Sequence, residues 1–198
     1  MSSQLIISIG REFGSAGHEI AKKLAEHYNI QLLDSNLLQE VAQEKNLDVK
    51  HLEGLDEKKR IKLFSRNVRG FHSSPEQNVS MLQFDFLREK AKKGDSFVIV
   101  GRCSESVLKD FDAMISMFIL GDVPCKVKRV MELYHMKEST AKKYIAEQDL
   151  KRKRYHNSFC EGKWGDSRNY DISVNSSKLG VEETTRLLID YIDMRRSK

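Results

Sequence analysis

The chain has 198 residues, 39% of them hydrophobic and 32% charged, and carries a net charge of +5 with a pI of about 9.0. That length suits one domain that can bury a core without disulfides or metals, and the composition reads as globular rather than disordered. A basic balance favours anionic partners without choosing among nucleotides, nucleic acid and acidic surfaces, and no apolar run approaches the ~20 residues of a membrane span.

Taken in chain order, Leu5-Ile6-Ile7-Ser8-Ile9 is apolar and β-branched up to Gly10 and predicts a buried strand. Beyond a glycine-containing loop, Glu19 to His27 sets Ile20, Leu24 and Tyr28 at helical spacing, with Lys22, Lys23 and Glu26 outward. Residues 30–34 predict a second short strand ending in the Asp34 carboxylate. From Asn36 to about Lys93 the pattern is helical and polar, broken at Gly54 and around Ser73-Ser74-Pro75, as an inserted helical region would be. Phe97–Val100 and Met114–Leu120 predict strands whose near-continuous apolar character requires cover on both faces. Cys125–Tyr134 and Glu138–Lys153 predict two helices, the second carrying the basic run Lys151-Arg152-Lys153-Arg154. Residues 155–169, with Gly162 and Gly165, predict a loop. Asp171–Val174 predicts a last strand and Val181–Met194 a last amphipathic helix. Leu5–Ile9, Phe97–Val100, Met114–Leu120 and Asp171–Val174 are expected as interior strands of a parallel sheet. With no repeat, low-complexity tract or linker, residues 1–198 are expected to form a single domain.

The loop between the first strand and helix has the ingredients of a phosphate cradle. Such a cradle needs inward backbone N–H groups, glycines that permit a tight path, and a helix N-terminus beyond. Gly14, Ser15, Ala16, Gly17, His18 and Glu19 supply these in principle. A Walker pattern also asks for Lys after the last glycine, a Ser or Thr for magnesium, and an earlier glycine. Here His18, Glu19 and Glu12 stand at those positions. An ordinary glycine-containing strand–helix turn is the plain alternative. Cys103, Cys125 and Cys160 are odd in number with no metal-like spacing, so they read as reduced packing thiols of a cytoplasmic protein. No residue is assigned to a metal. The N-terminus lacks a basic region leading into a long apolar stretch, and no signal peptide is expected.

Several stretches together resemble the cytidylate kinase-like family. These are Ile7 to Ala21, the turn Leu33-Asp34-Ser35, the strand end Val98 to Cys103, and Phe118 to Pro124 followed by Lys126 and Arg129. Asp149 to Arg152, Tyr155, Gly162 to Asp171 and Asn175-Ser176-Ser177 complete the set, so the likeness runs nearly end to end, least distinctly over residues 36–93. The resemblance implies a P-loop kinase core: a five-stranded parallel sheet with helices on both faces, a helical acceptor-binding region over about 36–93 and a short LID over about 150–168. Residues 14–19 would cradle the donor phosphates. Asp34 and Arg102 would face the acceptor, while Arg129 and Arg152 neutralise the transferring group. Asn175, Ser176, Ser177 and Lys178 would form the donor-base loop. Cys103 and Lys126 depart from the family's Asp and Arg.

Each residue has a plainer use beside this one. Asp34 is suited to capping the following helix, and Arg129 and the run 151–154 to a solvated helix face. Trp164 reads as a packing residue. The resemblance implies an ATP-dependent phosphotransferase acting on a nucleoside monophosphate, CMP or dCMP by default, with Mg2+ carried by the ATP. A nucleotide- or nucleic-acid-binding module on a degenerate kinase fold is the alternative, motivated by the missing lysine. Nucleotides are the expected partners; nucleic acid is less favoured, no membrane is expected, and a homodimer is compatible. If His18 replaces the lysine, ATP affinity should strengthen below about pH 7 as imidazolium forms, with Arg11 and Arg152 as competing sources of charge.

Overall fold

The computed structural model describes residues 4–45 and 75–197. Its strands are β1 (Ile6–Arg11), β2 (Gln31–Leu33), β3 (Phe97–Val100), β4 (Met114–Leu120) and β5 (Ile172–Asn175). All pair in parallel, in the order β2-β3-β1-β4-β5. The helices between them are α1 (Gly17–Tyr28), α2 (Leu37–Lys45), α3 (Pro75–Lys92), α4 (Ser104–Val107), α5 (Val123–Tyr134), α6 (Glu138–Phe159) and α7 (Ser176–Arg196). No helix among the described residues is long and apolar enough to cross a membrane.

The apolar runs form strands because helices bury both faces of the sheet. Ile7, Ile9, Val98 and Met117 meet Ile20 and Leu24 of α1 and Leu188 and Ile192 of α7 on one face. Ile6, Phe97 and Ile99 meet Leu37 and Val41 of α2 and Phe86 and Leu87 of α3 on the other. Each fully buried aliphatic side chain contributes about 1.5–3 kcal/mol relative to exposure. Inside, the buried Ser8 and Ser104 share a hydroxyl hydrogen bond of 2.7 Å.

Two expectations change. The Asp171–Val174 run lies at the sheet's edge, beside β4 alone, and its side chains stay partly exposed. Its apolar character reflects one covered face, and Asp171 itself precedes the strand. That carboxylate accepts the Ser116 amide at 2.7 Å and the Ser116 hydroxyl at 2.9 Å, which locks β5 onto β4. Second, α6 continues to Phe159, so residues 155–159 are helix and not loop. The polar stretch 36–93 is helical, as expected, where α2 and α3 begin and end it, while its breaks at Gly54 and Ser73-Ser74 lie outside the described residues.

The extension of α6 carries it across the molecule. At ~1.5 Å per residue its 22 residues span about 33 Å. Its first turns pack Ala141 and Ile145 against Val127 and Val130 of α5. Its last turns reach α3 and α4: Phe159 meets Phe84 edge-on at 5.4 Å, and His156 bonds Glu105 at 2.6 Å. The helix is a strap across the carboxyl ends of the strands.

Replacing Asp171 with Ala should cost about 1.5–3 kcal/mol, the usual worth of hydrogen bonds to a charged group. Urea titration should show the lower midpoint, and amides of residues 172–175 should exchange faster. An unchanged midpoint would contradict this anchoring role.

Candidate functional site

β1 sits mid-sheet, and the chain passes to β2 on one side of it and to β4 and β5 on the other. Loops at the carboxyl ends of strands around such a reversal form a crevice. The β1–α1 loop enters it and ends at Ala16, which holds a left-handed φ of 61° and gives α1 no side-chain cap. The first-turn amides of a helix lack acceptors within it and carry partial positive charge. The loop therefore presents uncapped donors at the crevice.

Its path is fixed by contacts from four elements. Lys126 of α5, only 7% exposed, places its Nζ 2.9 Å from Glu12 and 3.4 Å from Asp149 of α6. Glu12 also accepts the Gly121 amide at 3.1 Å, and Asp149 accepts the Phe13 amide at 2.6 Å. Phe13 inserts its ring beside Tyr144, edge-on at 5.2 Å. The Ser15 hydroxyl lies 2.9 Å from the Glu12 carbonyl and 3.0 Å from that of Ile119, while Ser176 donates to the Ser15 carbonyl at 2.7 Å.

Two clefts flank this loop. The first, about 440 Å³, is bounded by Arg11, Arg102, Lys151, Arg152, Tyr155 and Trp164, with Gly10, Gly101 and Tyr170 in its wall. Arg11 runs along the floor in a slot made by two glycines. A Cβ on Gly17 would stand 2.6 Å from the Arg11 Cβ, and one on Gly101 only 2.2 Å from its Nη1. Gly101, Arg102 and Cys103 are successive left-handed residues, with φ of 78°, 58° and 56°. For the two with side chains this conformation costs roughly 1–2 kcal/mol each, and such strain gathers at functional sites. Arg102 lies over the Tyr155 ring at 5.7 Å. Arg152 lies over the Phe13 ring at 5.1 Å and donates to the Arg11 carbonyl at 3.2 Å.

Burial, followed by the charges of Arg152 and Arg102, lowers the Arg11 pKa to about 9, against the opposing pull of Asp34. A guanidinium stays protonated at neutral pH, so the lowering measures how poorly its charge is compensated. Burial also pushes Arg152 down. The cleft calls for an anion.

The second cleft, about 350 Å³, lies on the other side of the loop between Gly14, Ser15 and Ala16, Cys125 and Arg129 of α5, and Ser176, Ser177 and Gly180 at the start of α7. Arg129 pairs with Glu19 at 2.7 Å. Asn175 accepts the Ser177 amide and donates to Asp122, which also pairs with Lys178 at 2.7 Å.

The expected site residues thus fall into groups. Gly14, Ser15, Ala16, Arg129, Ser176 and Ser177 share one cleft, and Arg102 and Arg152 the other. Arg129 and Arg152 do not meet. His18 turns its imidazole onto the Asp34 carboxylate. Asp34 also accepts the Asn36 amide at 3.3 Å, in the turn just ahead of α2. Burial alone would raise the Asp34 pKa, but the hydrogen bonds from His18 and the Asn36 amide hold it below the ordinary carboxylate range. Of the basic run, Lys151, Lys153 and Arg154 are exposed and Arg152 turns inward. Lys178 is largely exposed beside Asp122. The sequence offered Arg11 only as a competing source of charge, not as the floor of a cleft. The signal available was an arginine directly following the strand's Gly10, with glycines at the two places its side chain passes.

A family model described as the cytidylate kinase-like family matches residues 6–178. A cytidylate kinase from Pyrococcus horikoshii is 27% identical over 197 residues, covering 96% of this chain and 91% of that protein. Among solved structures, an uncharacterized protein from Eubacterium ventriosum shares 46% identity with a TM-score of 0.77, covering 96% of this chain and 99% of its own. A shikimate kinase from Bacteroides thetaiotaomicron, 13% identical, superposes with a TM-score of 0.57 over 96% of this chain and 98% of that one. That likeness shows the shared P-loop kinase fold.

Lys126→Met should destabilise the protein by about 3–5 kcal/mol, because it leaves Glu12 and Asp149 facing each other without their cation; a urea midpoint equal to that of the unaltered protein would refute the bridging role. The depressed Asp34 pKa stabilises the fold above the carboxylate's ordinary value near ~4, and that contribution disappears as pH falls through the lower folded value. Asp34→Asn should therefore flatten the loss of stability between about pH 5 and pH 2, as read from denaturation midpoints across that range.

Proposed function

Because the chain belongs to the cytidylate kinase-like family, we propose that it moves the γ-phosphoryl group of ATP onto a nucleoside monophosphate, with CMP or dCMP as the default acceptor. The observation that carries this reading is the convergence of Arg11, Arg102 and Arg152 on one cleft at the carboxyl edge of the sheet. Phosphoryl transfer asks little covalent chemistry of a protein. It needs positioning and stabilisation of charge spread over the phosphoryl oxygens. Guanidiniums supply both, since their planar forks match phosphate geometry.

In this reading the donor phosphates lie against residues 14–19, and the donor base enters the cleft between Arg129 and residues 175–178. The acceptor occupies the first cleft, with Arg102 on its phosphate and Asp34 at its rim. Arg152 neutralises the phosphoryl group from the strap above, and Arg129 supports the donor side. Arg11 provides the permanent charge that a Walker lysine would give, a role His18 leaves open by pairing with Asp34. Magnesium arrives with the nucleotide. Ser15 uses its hydroxyl on two carbonyls and Glu19 is paired with Arg129, so no protein ligand is assigned to the ion.

The same His18–Asp34 pairing favours a second reading, a binding module on this fold that retains nucleotide affinity without turnover. The exposed Lys151, Lys153 and Arg154 would then serve a polyanion, with the salt dependence such contacts bring.

A coupled ADP-release assay across nucleoside monophosphates separates the two. Turnover should exceed the ATP-only background with CMP or dCMP. Arg102→Ala should weaken CMP binding roughly ten- to hundredfold, the loss of one charge-assisted phosphate contact, with ATP binding nearly unchanged. ATP binding without ADP release for any acceptor selects the second reading, and no nucleotide binding at all overturns both.

A further inference from the structure

In the wall of the first cleft, one cluster of mostly buried side chains has the composition of a coordination site. Glu105 and His156 are buried and Cys160 half-buried, and one ligand atom from each lies within 4.8 Å of the others. The His156 Nε2 is 2.6 Å from a Glu105 oxygen, and the Cys160 sulfur is 4.0 Å from that same oxygen. The Cys103 thiol, 3% exposed, lines the same cleft wall as Glu105 and His156 but stands outside that 4.8 Å set. We propose that Cys103, Glu105, His156 and Cys160 form a tetrahedral site for a borderline-soft divalent cation of the zinc class, clamping the end of α6 to the turn after β3.

The donor set selects the ion. Two thiolates, an imidazole and a carboxylate suit zinc and discriminate against magnesium and calcium, which prefer oxygen. Metal–sulfur distances near 2.3 Å and metal–nitrogen distances near 2.0–2.1 Å place tetrahedral ligand atoms about 3.3–3.8 Å apart. For Glu105, His156 and Cys160 the observed separations reach that range by shifts of about 1 Å or less, and the Cys103 side chain must swing farther to complete the tetrahedron. Placement is also favourable. His156 and Cys160 stand four apart at the end of one helix and so share a face. Cys103 and Glu105 flank the start of α4, on the opposite side of the cluster. The other imidazole nitrogen, Nδ1, is 3.2 Å from the Asn157 side-chain oxygen. A proton held there leaves the Nε2 lone pair free for a metal, the usual arrangement for a ligating histidine. Binding would release to solvent the two thiol protons and the proton shared between His156 Nε2 and Glu105, with no change in oxidation state.

The consequence would be local and specific. Cys103 follows Arg102 directly, and His156 follows Tyr155, over whose ring Arg102 lies. A cation at the cluster would fix both walls of the first cleft from behind.

The test uses the full chain, reduced and stripped with chelator. Cobalt(II) chloride alone should bind at about one per chain with intense d–d bands of tetrahedral cobalt and a sulfur-to-cobalt charge-transfer band. Zinc chloride should bleach both, and it should raise the melting temperature where magnesium chloride does not. Cys160→Ser and His156→Ala should each weaken cobalt binding at least about a hundredfold, and Cys103→Ser should roughly halve the charge-transfer intensity. Weak cobalt bands without sulfur charge transfer in the unaltered protein would overturn the proposal, and this needs no variant to fold. So would zinc binding unaffected by Cys160→Ser, or a Cys103–Cys160 disulfide whose reduction restores no metal uptake.

Discussion

One buried ammonium group organises the crevice. Lys126 reaches from α5 between Glu12 of the β1–α1 loop and Asp149 of α6, and each carboxylate in turn holds a backbone amide. Neither carboxylate would rest where it does without the cation, since taking ions out of water costs several kcal/mol per group unless they are paired and hydrogen-bonded. The loop, the strap and the helix beneath them are consequently positioned together. Glu12 stands where a Walker loop has its first glycine. Its carboxylate gives the loop a side-chain tether, which a glycine could not.

The arginines show the opposite balance. Around Arg11, burial and like charge outweigh the nearby carboxylate. The two glycines that admit its side chain and the left-handed turn that carries Arg102 are features a chain keeps only where the surroundings enforce them. A stability argument does not account for three guanidiniums gathered at one cleft. A polyanionic ligand does, because it converts their mutual repulsion into binding.

How much of this was legible in the sequence depended on whether the signal was local. Strands β1, β3 and β4 were readable because unbroken β-branched runs have few other uses. The edge position of β5 was not, since apolar content in four residues does not say how many neighbours a strand has. The last turn and a half of α6 escaped notice because Tyr155 and His156 bury themselves through polar contacts, leaving no apolar periodicity to read. Attention to a Walker pattern pointed at His18, whereas Arg11 owes its placement to Gly17 and to Gly101, which lies on a different strand's end. Glu105 and His156 are 51 residues apart, so no local pattern pointed to their meeting.

The strap has attachments of unequal depth along its length. Asp149, near the middle of α6, belongs to the loop's charge cage, and Arg152, one turn on, touches the Arg11 carbonyl. Tyr155, His156 and Phe159 hold only the far side, through Ser80, Glu105 and Phe84. Peeling the helix from its C-terminal end would thus proceed in stages. The last turns can leave α3 and α4 while the cage stays shut, which opens the first cleft to a ligand without unseating the loop. Going further back would expose Lys126 and two carboxylates at once, an abrupt rise in free energy. The helix carries its own stop, set one turn before Arg152.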